Sequence, residues 1–203
     1  MQTSKIQYST DELKLAENSE LILTKNRIIK KTIALFASLA EKYRSESENH
    51  RAQLPSEIFE QAPKISRGEQ YLELPYVMLD YPRVFSKENV FAIRSFFWWG
   101  NYFSITLHLK GVYKEMYRQK IKERYNIFSQ NNYCMAISDD EWRHDFVEQH
   151  YLTLTKEGLE KFEESMEEGT FLKLAAKWPL QQGNEIQPLF QEQFSTLLNV
   201  LSG

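Results

Sequence analysis

The sequence has little of what disulfide-bonded, metal-binding and phosphate-binding proteins are built from. One cysteine, Cys134, occurs in 203 residues, so neither an intramolecular disulfide nor an all-cysteine metal site can form within one chain. The seven glycines are scattered, and there is no glycine-rich phosphate loop, Gly-x-Ser-x-Gly motif or Walker lysine. No cofactor is therefore expected, and Cys134 is expected to be a small buried apolar side chain.

Long apolar runs are also missing. Residues 1–12 are polar and lack the apolar centre of a secretory signal. The least charged stretch, 95–109, is shorter than the roughly 20 residues of a membrane helix and is interrupted by Gly100, Asn101 and His108. A lone thiol is typical of a reducing compartment. We therefore expect a cytoplasmic protein with no membrane partner.

Net charge is small, but it is unevenly distributed. The formal charge is -3 and the estimated pI is 5.9, which does not favour nucleic acid as a partner. Residues 110–124 nevertheless carry six basic and two acidic side chains, whereas residues 139–168 carry eleven acidic and three basic ones. The basic segment could contact a phosphate backbone, or it could pair with the acidic segment inside the fold or across a dimer.

The hydrophobic pattern predicts an α+β fold, an antiparallel sheet of hairpins packed against several amphipathic helices. Apolar residues recur every seven positions from Leu15 to Tyr43, which predicts a long N-terminal helix over about 10–44. This stripe fits packing on a sheet better than a coiled-coil dimer, because it spans few heptads. A C-terminal helix is predicted over about 188–201. With no linker apparent, residues 1–203 are predicted to form a single domain.

The clearest strand signal is a hairpin around Gly100-Asn101. The second strand alternates, with Phe103, Ile105, Leu107 and Leu109 on one side and polar or aromatic side chains on the other. A two-residue turn would place Trp99 opposite Tyr102. The mixed face would then resemble the lining of a ligand pocket. The candidate ligand-binding residues are Trp99, Tyr102, Phe97, Ser104, Thr106, His108 and Arg94.

Arg94 is a special case in this hairpin. The two-residue turn places it on the apolar face of the sheet, where a guanidinium needs a carboxylate, a carbonyl or an aromatic face. Asp80 or Glu73 on the preceding strand could supply the carboxylate. Arg94 is thus predicted to form an internal ion pair, with reception of an anionic ligand group as the alternative.

A second candidate site follows Asp140. Residues 142–154 are predicted to form a returning strand, on which His144, Glu148 and His150 share one face because their spacings are even. On a helix, Glu141, His144 and Glu148 would share a face instead. Imidazole and carboxylate groups are ligands for divalent metals. A solvated strand edge that carries charge is the alternative interpretation.

These observations lead to three function hypotheses. The leading one is a non-enzymatic ligand-binding or protein-interaction domain that uses the aromatic sheet face, with an unidentified small molecule or protein as partner. The alternatives are a metal-dependent, hydrolase-like enzyme and a nucleic-acid accessory protein that uses the basic helix. The pattern is compatible with a monomer or a homodimer.

Overall fold

The computed structural model describes residues 6–203. Their helices are α1 (Thr10–Glu17), α2 (Ser19–Ser47), α3 (Val112–Glu123), α4 (Tyr125–Gln130), α5 (Leu159–Glu168) and α6 (Ile186–Ser202). Their strands are β1 (Lys64–Tyr71), β2 (Leu74–Phe85), β3 (Val90–Trp98), β4 (Tyr102–Lys110), β5 (Cys134–Ala136), β6 (Tyr151–Thr153) and β7 (Phe171–Pro179). Across residues 6–203, no helix has the length and apolar character that crossing a bilayer requires.

These strands form one antiparallel sheet in the order β1-β2-β3-β4-β7-β5-β6. The first four strands follow one another in the chain and form a meander. β7 then pairs with β4 after the chain has passed through α3, α4, β5, β6 and α5. The predicted α+β class, hairpins packed against helices, is confirmed.

One face of the sheet is covered by helices. Buried apolar residues recur at helical spacing along α6 and along the second half of α2. The ring of Tyr43 in α2 stacks on Phe194 in α6, with centroids 3.8 Å apart. The Tyr43 hydroxyl lies 2.9 Å from the Ser95 hydroxyl on β3. This face is the main core of the molecule, and it positions the central strands rigidly.

The predicted N-terminal helix over 10–44 is two helices, separated at Asn18. This residue leaves the helical conformation with a ψ of 80°, and its side-chain oxygen accepts a hydrogen bond from the backbone N–H of Leu21 at 3.3 Å. Asn18 therefore ends α1 and caps the start of α2. The local hydrogen-bonding ability of asparagine overrides a hydrophobic pattern that continues through it.

The heptad stripe divides between core and surface. Ile29, Phe36 and Tyr43 are buried beneath the sheet, as the sheet-packing interpretation predicts, whereas Leu15 and Ile22 are 60% and 53% exposed. The interpretation that the stripe packs on the sheet is therefore correct for the second half of α2. The apolar residues of α1 and of the start of α2 are exposed in a single copy of the chain.

The β3–β4 hairpin has a three-residue loop, Trp99–Asn101, and the predicted two-residue turn was wrong. Gly100 adopts a positive φ of 72° in this loop, a conformation that favours glycine. Since side chains alternate between faces, a one-residue change in register exchanges the two sides of β3. The observed pairs are Trp98 with Tyr102, Phe96 with Ser104, Arg94 with Thr106 and Ala92 with His108.

The basic helix α3 packs against the acidic helix α5. Lys122 Nζ lies 3.0 Å from a carboxylate oxygen of Glu163, and an Arg118 nitrogen lies 3.4 Å from Glu167. The Lys114 ammonium donates to the carbonyl of Gly169 at the end of α5. The two charged segments thus form ion pairs within the fold, between side chains that stay partly exposed, which leaves the basic helix less charge to offer a phosphate backbone.

Candidate functional site

The sheet face opposite the helices carries an unusual set of buried polar side chains. Tyr102, Ser104, Thr106 and His108 alternate along β4 on this face. Neighbouring strands add Arg94 from β3, beside Thr106, and Lys173 from β7, beside His108. Ser104, Thr106, His108 and Lys173 are each at most 4% exposed. A buried polar layer of this size is costly to desolvate, which marks it as a candidate site.

A segment without regular structure, 137–150, lies over this polar layer. The Tyr102 hydroxyl donates to the carbonyl of His144 at 2.6 Å and accepts from the backbone N–H of Phe146 at 3.2 Å. The Tyr71 hydroxyl accepts from the N–H of His144 at 2.6 Å. The predicted strand over 142–154 is therefore wrong, except for β6. Tyrosine hydroxyls, instead of a neighbouring strand, satisfy the backbone of this segment.

The centre of the site is an ion pair between Arg94 and Asp80. The guanidinium donates through Nε and Nη2 to the two carboxylate oxygens, at 2.6 and 3.0 Å. The side chains are only 11% and 5% exposed. Asp80 was one of the two carboxylates predicted to pair with Arg94. The prediction that Arg94 lies on the apolar face is wrong, because the register of β3 differs from the expected one.

His144 completes the pairing of Arg94. The Nη1 group of Arg94 can only donate, so His144 Nε2, 2.9 Å away, accepts the bond. Burial, followed by the nearby charges of Lys173 and Arg94, holds the pKa of His144 well below its usual range. The neutral ring therefore carries its proton on Nδ1. Its face stacks on Phe96, with centroids 5.0 Å apart.

A second cluster joins the sheet to the covering segment at Glu141. Its carboxylate accepts from Lys110 at 2.6 Å and from His108 Nε2 at 3.1 Å. Burial, with smaller contributions from the charges of Lys173, Arg94 and Lys110, lowers the pKa of His108 to about 2. His108 is consequently a neutral donor to Glu141 at physiological pH, and it holds the segment in place.

Lys173 is the most deeply buried charged side chain of the site. Its ammonium donates to the backbone carbonyls of Glu141 and Arg143, the first at 2.9 Å. Burial and then the charge of Arg94 lower the pKa of Lys173 to about 7. Close by in the polar layer, the Ser104 and Thr106 hydroxyls and His144 Nδ1 have no hydrogen-bond partner within residues 6–203. The layer therefore contains polar groups whose hydrogen-bonding capacity the described part of the chain does not meet.

An open cleft of about 410 Å³ reaches this layer from the side of β1 and β2. The Arg94–Asp80 pair lies at its floor. Its apolar wall contains Phe85 and the 47% exposed Trp142, with ring centroids 6.1 Å apart. Lys64 adds an exposed cation at the rim. The cleft thus combines ring surfaces with a small number of charged groups, as small-molecule sites do.

The predicted ligand-binding residues are divided between two faces. Tyr102, Ser104, Thr106, His108 and Arg94 lie together on the polar face, but Phe97 and Trp99 do not join them. Phe97 belongs to the core on the helix side, and both residues line a separate apolar groove of about 650 Å³ beside α2. The seven residues were grouped on the assumption that Trp99 pairs with Tyr102. Because Trp98 takes that place, Phe97 and Trp99 lie on the other side of the sheet.

The three predicted metal ligands, His144, Glu148 and His150, do not come together in the structure. His144 Nε2 is occupied by Arg94, and His150 Nδ1 lies 2.9 Å from Asp145 Oδ2. Glu148 is exposed to solvent. In the part of the chain that the structure describes, no group of three or more metal-ligating side chains is close enough to hold an ion. The three residues do not share a face, because the expected strand beneath them does not form.

Two important residues were missed in the sequence, Lys173 and Tyr71. Lys173 stands in the apolar run Phe171–Ala176, where a lysine is unexpected, and that mismatch was the available signal. Tyr71 has no such signal, since its role depends on a contact with residue 144, far away in the chain.

Comparison of the chain with family models, with curated proteins and with solved structures finds no match.

Proposed function

We propose that the protein is a non-enzymatic binding protein for a small organic molecule that carries an anionic group, a carboxylate or a phosphate. The binding site is the cleft whose floor is formed by Arg94 and Asp80 and whose wall is formed by Phe85 and Trp142. The observation that carries this proposal is the position of a buried, fully oriented guanidinium at the bottom of an aromatic-walled cleft.

Arg94 has hydrogen-bonding capacity left for a ligand. A guanidinium has five N–H groups. Two of them bind Asp80 and one binds His144, so two remain, one on each terminal nitrogen. Lys64 adds a second cation at the rim. The charges that line the cleft are two positive and one negative, which favours an anionic ligand group.

The apolar wall favours a ligand with a ring or a hydrocarbon body. The Trp142 side chain is about half exposed and faces the cleft beside Phe85. Met78 extends the apolar surface. A ligand ring placed against Trp142 would bury aromatic surface, while its acid group reaches Arg94.

The chemistry of the site favours binding over catalysis. Both histidines of the layer are neutral, and each has one ring nitrogen bonded to a charged side chain. Lys173 is sealed beneath 137–150. The groups that open into the cleft offer charge and hydrogen bonds, and among residues 6–203 none is a nucleophile held by a general base.

The test is thermal unfolding in the presence of a panel of small carboxylates and phosphates with aromatic or aliphatic bodies. A ligand at a hundred times its dissociation constant stabilises the folded state by about 2.7 kcal/mol. For a chain of this length, that corresponds to an increase in Tm of roughly 5–10 °C. We expect at least one class of compound to produce such an increase.

The matched variants are Trp142→Ala and Trp99→Ala. Removing the Trp142 ring should weaken binding by about 1–2 kcal/mol, roughly five- to thirtyfold in Kd. Trp99→Ala removes the same side chain from the opposite side of the sheet and should leave Kd unchanged. The proposal is wrong if no compound stabilises the wild-type protein, or if the two variants lose the stabilisation equally.

A further inference from the structure

The N-terminal end of the chain exposes an apolar surface that the fold itself does not use. Among residues 6–203, fifteen large apolar side chains are exposed, and eight of them fall before residue 29. They lie on α1, on the first turns of α2 and just before α1, and they are 37–82% exposed. These are Ile6, Tyr8, Leu13, Leu15, Leu21, Ile22, Leu23 and Ile28.

The extent of this surface matches an interface. Summed over the eight side chains, the exposed surface is on the order of 800 Å², distributed around α1 and the start of α2. A stable protein–protein interface buries about 800 Å² on each partner. The α1 helix has no buried residue at all, so one copy of the chain gives it little reason to stay folded.

The charges along the same segment are arranged in two blocks of opposite sign. The first block is mainly acidic, with Asp11, Glu12, Glu17 and Glu20 against one lysine, Lys14, which lies 3.6 Å from Asp11. The second block, basic, is Lys25, Arg27, Lys30 and Lys31. Glu20 bonds Arg27 and Lys25 bonds Glu69 within the chain. Glu17, Lys30 and Lys31 have no ion-pair partner in the described part of the chain.

We propose that two copies of this chain associate through residues 6–31, with their helices antiparallel and a twofold axis between Leu23 and Thr24, so that Glu17 of each copy faces Lys30 of the other. This arrangement places the acidic block of each copy beside the basic block of the other and pairs the apolar stripes. A parallel arrangement would put like charges side by side. The interface is isologous, so each favourable contact occurs twice.

Sedimentation velocity over micromolar to several hundred micromolar protein tests the dimer. The wild-type chain should sediment as twice its 24.1 kDa mass at the higher concentrations. Glu17→Lys or Lys30→Glu alone should weaken self-association by about tenfold, because each lost ion pair occurs twice. The double variant Glu17→Lys/Lys30→Glu should restore most of the wild-type affinity, since it exchanges the signs of the facing charges.

Glu164→Lys is the matched control. It makes the same change of charge at an exposed position of α5 and should leave self-association unchanged. A wild-type chain that stays monomeric at every concentration overturns the proposal. The proposal is also overturned if the double variant associates no more tightly than either single variant, or if Glu164→Lys weakens the dimer as much as Glu17→Lys does. The outcome is independent of ligand binding, because no residue of the segment lines the cleft.

Discussion

Replacing Asp80 with asparagine is expected to destabilise the folded protein strongly. The substitution keeps the shape of the side chain but removes its charge, so the guanidinium of Arg94 remains buried without a counterion. His144 is neutral and compensates only one N–H. Breaking a buried ion pair by removing one partner costs about 3–5 kcal/mol. Arg94 retains 11% exposure, so we expect a loss near the lower end, about 3 kcal/mol.

The chain contains a matched exposed pair. Arg27 and Glu20 approach to 2.6 Å, the same distance as Arg94 and Asp80, but their side chains are 57% and 68% exposed. Solvent screens this pair, so Glu20→Gln should cost much less stability than Asp80→Asn. The comparison sets a buried ion pair with two hydrogen bonds against an exposed pair with one.

Urea unfolding provides the measurement. Asp80→Asn should lower the midpoint with an unchanged slope, which indicates a loss of stability without a change in the surface exposed. Adding Arg94→Met to Asp80→Asn should recover part of the loss, because the uncompensated charge is gone. If Asp80→Asn costs no more than Glu20→Gln, Arg94 is not held as a buried cation and the reasoning about the site is refuted.

Two further predictions concern the covering segment and the response to acid. Tyr102→Phe removes the hydroxyl that binds His144 and Phe146, so amide exchange over 143–147 should accelerate about ten- to hundredfold; unchanged exchange contradicts this. Folded His108 stays neutral down to its pKa of about 2, whereas the unfolded state takes up a proton near 6.5. Stability should therefore fall as pH drops from about 6.5, by up to about 1.4 kcal/mol per unit. His108→Gln should reduce the slope of urea-unfolding stability over that range but not abolish it, because burial also lowers the pKa of His144; an equal slope in both proteins contradicts the prediction.

The elements that the sequence predicts well are those whose signal is local. The alternation along β4 distinguishes its two faces correctly, because hydrophobic and polar side chains truly alternate there. In β3, by contrast, Phe96, Phe97 and Trp98 are large and apolar on both faces. Periodicity cannot fix the register of such a strand, and the length of the loop decides it. Hence the predicted ligand set was divided between two sides of the sheet.

The polar site depends on contacts that are distant in sequence. Asp80 could be proposed as the partner of Arg94, because consecutive strands usually pair. The irregular path of 137–150 could not be predicted. Its backbone hydrogen bonds go to the tyrosine hydroxyls of β1 and β4 and not to a neighbouring strand. The sequence of the segment alone does not reveal these partners. Lys173 is explained only when the carbonyls of this segment are seen above it.

Titration followed by NMR of the tryptophan indole N–H groups tests whether a small anionic molecule binds beside Arg94. The chain has four tryptophans, so four indole signals are expected, and Trp142→Phe and Trp99→Phe assign the two that matter. A carboxylate or phosphate that occupies the cleft should shift the Trp142 signal in a saturable way and leave the Trp99 signal in place. If the Trp99 signal moves instead, or if no signal moves with any compound of the panel, the cleft is not the binding site.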